Sequence, residues 1–277
     1  MRAQRPRGRG GRRVLGALGA VAAGLGLASD VASGERVADE VIAGAAPDER
    51  ADVTPGTVVL LHGLARGARH MRILEWRLAA RGYRVCNLDY DTRVADFDHA
   101  LDAVRRSLLA CVPSSGRIDF VTHSLGGLVL RGLLDRHPEP RAGRAVLLAP
   151  PNGGSEIADR LASVPLLARV IGPLAGHLGT GAQDLPRRLP GLPIPVGVIA
   201  GSRWINPAGP LWLPTPHDGT VSVESTRLAG MSDHLVLPYT HTFIMNPAEV
   251  ADQVDAFLRR GRFERPPEAE GRVPRRG

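Results

Sequence analysis

The 277-residue chain has no lysine, so its 35 basic residues are all arginine. That bias is one of coding, and no function is read from it. Aromatic residues are scarce at 4%. With so few rings to stack bases, and no recognition motif, the net charge of +7 is not that of a nucleic-acid-binding protein. The charge is also in the wrong place for one. Six arginines and no acid lie in residues 1–28, and seven arginines against three glutamates in residues 259–277, which leaves the segment between them slightly acidic. Cysteine is nearly absent: Cys86 and Cys111 are the only two, and none precedes them to carry a lipid. No group of histidines and cysteines has ligand spacing, so neither a metal nor a cofactor is expected. The one long apolar stretch, near residues 14–28, is too short and too rich in glycine for a comfortable membrane span.

What is present begins with that stretch. Arg12-Arg13, a short apolar run and small residues near Gly26 and Ala28 read as a secretory signal peptide over 1–29, with an uncleaved anchor as the alternative. The arginine pair hints at twin-arginine export. Residues 30–55 read as a linker, 56–261 as one domain long enough for a sizeable core, and 262–277 as a disordered basic tail. In an exported chain Cys86 and Cys111 can form a disulfide or remain two buried thiols; the spacing allows both.

Within the domain, apolar β-branched runs alternate with helical periods: 56–62, 82–90, 118–123, 144–149, 195–201 and 235–239 are expected strands, with helices near 69–81 and 95–111. Such alternation builds a parallel sheet with both faces covered, whose site lies at the carboxyl ends of the strands. The sharpest signal is Ile118-Asp119-Phe120-Val121-Thr122-His123-Ser124-Leu125-Gly126-Gly127, a short strand, a serine and two glycines opening a helical period. A serine is a poor nucleophile at neutral pH unless a base and oxyanion donors surround it. A strand-to-helix turn presents the hydroxyl and places the next amide, that of Leu125, at a helix N-terminus.

Thr122-His123-Ser124-Leu125-Gly126-Gly127 resembles the Gly-His-Ser-x-Gly-Gly elbow of lipases in the α/β-hydrolase superfamily, of the bacterial lipase and esterase kind. It departs at Thr122, where glycine usually lets strand and helix pack closely, and a branched residue there calls for a small neighbour in Gly126 or Gly127. The resemblance spans roughly residues 56–260 and implies an α/β fold with a mostly parallel central sheet, helices on both faces and a small cap. It assigns Ser124 as nucleophile. His62-Gly63-Leu64 after the first strand matches the loop that lends a second oxyanion donor, the amide of Leu64. Asp218, in Pro216-His217-Asp218-Gly219-Thr220-Val221 after the fifth strand, falls at the acid position, with Asp233 in reserve. His241, between the last strand and a last helix capped by Asn246-Pro247, falls at the base position, with His217 and His234 as rivals. Residues 155–192, broken by Pro165, Pro173, Pro186 and Pro190, read either as the cap over an acyl pocket or as helices covering the sheet.

The activity this implies is that of an exported lipase or carboxylesterase, a monomer acting on lipid or small acyl esters, with a lipid interface as a candidate partner. Amide or thioester hydrolysis, acyl transfer, and a non-catalytic binding role on the same scaffold are the alternatives.

Overall fold

The computed structural model describes residues 55–94, 96–162, 172–205 and 213–265. The signal peptide and nearly all of the linker expected from the sequence lie outside the described residues, as do 163–171 of the cap, Trp212 and residues 266–277.

Six strands form one parallel sheet in the order β2-β1-β3-β4-β5-β6. They are β1 (Thr57–Leu61), β2 (Arg84–Leu88), β3 (Ile118–His123), β4 (Ala142–Leu148), β5 (Val196–Gly201) and β6 (Asp233–Leu237). Every adjacent pair is parallel. Strands buried on both faces are largely apolar, and β1, β3 and β5 are buried at every position, with Asp119, Thr122 and His123 as the polar members of β3.

The two-residue period of a strand divides the core into two layers. Val59, Leu61, Phe120 and Leu147 face one layer, where they meet Leu101 and Val104 of α2 (Phe97–Cys111) and Leu128 and Val129 of α3 (Leu125–Arg136). Val58, Leu60, Val121 and Val146 face the other, against Leu74 and Leu78 of α1 (Arg72–Ala79) and Val250, Val254 and Phe257 of α6 (Ala248–Arg260). The short α4 (Glu156–Ala162) and α5 (Leu185–Arg188) belong to the cap segment. Between these layers the start of β3 carries a buried carboxylate, Asp119. It takes hydrogen bonds from Arg117 Nη2 at 2.7 Å and the Arg144 amide at 2.8 Å.

Local signals set the element ends. Asp96 caps α2 by accepting from the Asp98 amide, and Gly261 ends α6 in the left-handed conformation. The capping expected at Asn246 is displaced: α6 starts one residue later, with Pro247 as the N-cap. Glu249, in the first turn of α6, accepts the Tyr239 hydroxyl at 2.6 Å. The sequence reads a tail from residue 262, but the packed chain runs through Phe263, which is buried against Phe257, and its amide donates to Asp233 Oδ2 at 2.8 Å. Cys86, in the middle of edge strand β2, and Cys111, at the end of α2, are joined as a disulfide.

Candidate active site

Ser124 stands between β3 and α3 with φ 53° and ψ −122°, a left-handed backbone that a non-glycine residue adopts at some strain. Its amide donates to the Leu148 carbonyl at 2.9 Å, and its carbonyl accepts from the Gly127 amide at 3.0 Å. These two bonds pin the turn to β4 and start the helix. The glycines of the turn are tightly packed. A Cβ on Gly126 would lie 2.6 Å from the Leu61 carbonyl oxygen and 2.9 Å from that of His62, so α3 closes directly on the end of β1. A Cβ on Gly127 would lie 3.1 Å from Pro150 Cβ and 3.4 Å, an ordinary contact, from Thr122 Oγ1, so what crowds this position is Pro150 and not the threonine.

The loop after β1 comes to the same place. A Cβ on Gly63 would lie 3.2 Å from Ser124 Cβ, which puts the peptide between Gly63 and Leu64 beside the serine. Leu64 itself lines the cavity over Ser124, and Leu125 opens α3. His62 does not face the site. Its buried ring stacks on Tyr90 at 4.2 Å, Nδ1 lies 2.9 Å from the Gly63 carbonyl, and the Tyr90 hydroxyl donates to the His62 carbonyl. Burial lowers the His62 pKa, consistent with a neutral ring whose Nδ1–H donates. Its place is to hold the loop that presents Leu64.

His241 and Asp218 complete a continuous chain. His241 Nε2 is 3.0 Å from Ser124 Oγ, and its Nδ1 is 2.7 Å from Asp218 Oδ2. A carboxylate only accepts, so Nδ1 carries the proton and Nε2 takes the serine hydroxyl. The other oxygen, Asp218 Oδ1, accepts from the Thr220 and Val221 amides at 2.9 and 2.8 Å. That turn holds the carboxylate by bonds separate from the one to the histidine. The backbone repeats the link, because the His241 amide donates to the Asp218 carbonyl at 3.1 Å.

The rivals lie elsewhere. Asp233 pairs in register with Gly197 at the start of β5, at the opposite end of the sheet, and bonds to Arg265 and the Phe263 amide. His234 meets Thr226 Oγ1 at 3.0 Å. His217 is fully buried beside Trp204, and its Nδ1 accepts from the Gly219 amide at 3.1 Å.

Two residues of the site carry no signal that a linear reading weighs. His123 Nε2 lies 2.9 Å from the His241 carbonyl oxygen. Burial, then the neighbouring His241, holds its pKa well below the ordinary 6.5, so it is a neutral donor. Arg131, on α3 and 3% exposed, donates through Nε to Pro190 O at 2.8 Å, through Nη2 to Pro186 O at 3.0 Å, and also to Leu189 O. Burial lowers its guanidinium to about 10. A cation on the carbonyls that end α5 satisfies groups a short helix leaves open. It ties the cap to α3, the helix that follows Ser124.

Over Ser124 lies a cavity of about 270 Å³. The cap supplies Ile157, Ala158, Ala175 and Leu178 to it, so this segment does present an apolar face to the serine. Among the described residues no group of three or more histidines, cysteines and carboxylates comes together to hold a metal ion.

No protein-family model matches the sequence, and no curated protein matches it. Solved structures do. Bacillus licheniformis lipase BlEst2 in mature form is 19% identical with a TM-score of 0.55, the match covering 73% of this chain and 91% of that one. The metagenomic carboxyl esterase MGS0156 is 16% identical with a TM-score of 0.53, covering 76% of each chain. Phospholipase PlaB from Legionella pneumophila is 15% identical with a TM-score of 0.51; 74% of this chain aligns, spanning 57% of that one. At such identities the likeness is one of fold, and the chain has the α/β-hydrolase fold.

Proposed function

We propose that this protein is a serine ester hydrolase of the lipase or carboxylesterase kind, using Ser124, His241 and Asp218. The observation that carries the reading is the unbroken hydrogen-bonded chain from Ser124 Oγ through His241 to Asp218 Oδ2, at 3.0 and 2.7 Å, opening on an apolar cavity. In this scheme His241 Nε2 takes the serine proton as Oγ attacks the ester carbonyl. The buried Asp218 holds the ring in the required tautomer and stabilises the imidazolium. The developing oxyanion is met by the amides of Leu64 and Leu125. His241 then returns the proton to the leaving alcohol. Water, activated by the same histidine, attacks the acyl-enzyme and releases the acid.

The cavity sets the acyl group. At roughly 30 Å³ for a water-sized group, 270 Å³ holds about nine such groups, which suits a medium acyl chain. Export through the N-terminal segment belongs to the same proposal, and the Cys86–Cys111 disulfide supports an oxidising compartment.

The experiment is a turnover series on p-nitrophenyl esters from acetate to palmitate, with Ser124→Ala alongside. Hydrolysis by the wild type alone, peaking near eight carbons, is the expected result. Equal rates for both proteins, or no turnover of any ester, would remove the reading.

A further inference from the structure

The apolar cavity accounts for only one side of an ester. Its lining of aliphatic and hydroxyl side chains includes one permanently charged residue, Arg66, at the mouth. Arg66 also lines a second, larger and more polar cleft of about 760 Å³, which runs over the loops that follow β1 and β2. The two cavities therefore meet at the loop that carries the candidate oxyanion donor Leu64. Arg66 lines both, so an ester whose acyl chain lies under the cap can place its alcohol part in the polar cleft.

The charges in that cleft are unevenly committed. Arg66, Arg69 and Arg93 line it, and among the described residues none of the three makes an ion pair. The two carboxylates present are each engaged by the loop that bears them or its neighbour. Asp89 Oδ1 accepts the Ala68 amide at 3.0 Å and lies 3.3 Å from His62 Nε2, while Asp91 Oδ1 accepts the Arg93 amide at 2.8 Å. His70, also in the lining, is held below its ordinary pKa by burial and then by the Arg66 charge, so it adds no charge at neutral pH. The balance is positive, and among the described residues the cation nearest the serine has no carboxylate paired with it. A guanidinium placed this way suits an oxyanion that it can hold through two N–H groups.

We propose that the substrate is an amphiphile: a medium-chain acyl ester whose alcohol part carries a phosphate or carboxylate, bound by Arg66 in the polar cleft. This rests on the ester-hydrolase reading for the position of the carbonyl, and it narrows the substrate from neutral acyl esters to anionic ones. Arg66 is then a specificity residue, separate from the bond-breaking groups.

The test measures binding as well as turnover, so the two readings can fail separately. In the Ser124→Ala background, titration calorimetry compares octanoylglycerol, octanoylglycerol phosphate and the octanoyl ester of glyceric acid at low salt, with and without Arg66→Gln. The expected result is that at least one anionic ester binds about tenfold tighter than the neutral one, that Arg66→Gln removes the difference without weakening the neutral ester, and that added salt shrinks it. A preference for the phosphate alone identifies a phosphate headgroup; equal binding of phosphate and carboxylate identifies a general anion. Equal affinity for all three esters overturns the proposal, as does an Arg66→Gln variant that weakens neutral and anionic esters alike. If the anionic preference is present while wild-type protein hydrolyses none of the three, the hydrolase reading fails and the anion site remains.

Discussion

His123 Nε2 donates to the backbone carbonyl of His241 across 2.9 Å, so the residue immediately before the candidate nucleophile holds the main chain of the candidate base. The His241 amide is held in turn by the Asp218 carbonyl, and its two ring nitrogens by Ser124 and Asp218. Every polar atom of this histidine is thus engaged by the elbow or the acid loop. His123 is a positioning residue. Replacing it with phenylalanine keeps a buried ring but removes the donor. The expected result is a fall in kcat of about tenfold, from a lost bond worth ~1 kcal/mol and a displaced base, with KM within about twofold. His123→Gln should recover part of the rate. Unchanged kcat in the phenylalanine variant would refute the role.

The same burial predicts how stability follows pH. His62 and His123 are both held below the ordinary 6.5 by burial, so the unfolded chain binds protons that the folded one refuses. Their contribution is complete above 6.5 and is lost as pH falls below that value. Each can contribute a slope of up to about 1.4 kcal/mol per pH unit in that window. Thermal melts between pH 7.5 and 5 should show Tm falling with acid, and falling less steeply in His123→Phe. A flat wild-type profile is the contrary outcome.

Gly126 sets the distance between α3 and the loop that presents Leu64. A Cβ there meets two carbonyl oxygens at 2.6 and 2.9 Å, and backbone has no rotamer with which to yield. Gly126→Ala should therefore destabilise the protein by about 2 kcal/mol and lower kcat/KM by more than tenfold. Gly176→Ala, in the cap segment, has nothing within 4 Å of the added atom and serves as the control. Equal activity in the two variants would argue against this packing account.

Arg131 fastens the cap from beneath. Arg131→Met fills similar volume but leaves the carbonyls of Pro186, Leu189 and Pro190 without their donor. A loss of about 2–3 kcal/mol in denaturant unfolding is expected, with faster proteolysis between residues 172 and 190 than elsewhere. Uniform proteolysis would mean that the cap has no independent anchor.

The disulfide closes a separation of 25 residues at the edge of the sheet. Replacing Cys86 and Cys111 with alanine should cost about 3 kcal/mol, chiefly by freeing the unfolded chain. Activity per folded molecule should be retained, because neither Cys86 nor Cys111 lines the cavity over Ser124 or the polar cleft. Loss of activity at full folding would show that the bridge also shapes the site.

The sequence by itself determined the alternation of strand and helix, the parallel sheet and the turn at Ser124. These are local properties, written in apolar periods of two and 3.6 residues and in glycines where the backbone must turn or approach closely. The order of candidate serine, acid and histidine rested on the resemblance to α/β-hydrolases and not on any period. The sequence marked Thr122 as an oddity needing a small neighbour in Gly126 or Gly127, whereas the tight contacts of these glycines are to the Leu61 and His62 carbonyls and to Pro150. The tertiary structure alone decided which histidine meets Ser124, since the partners are 117 positions apart and His217, although beside the acid, is turned to the Gly219 amide. It alone showed the cysteines bonded, the expected cap at Asn246 displaced, and His123 and Arg131 at work. Each of these depends on side-chain direction and on contacts between segments distant in sequence, for which a chain read in one dimension carries no periodic signal.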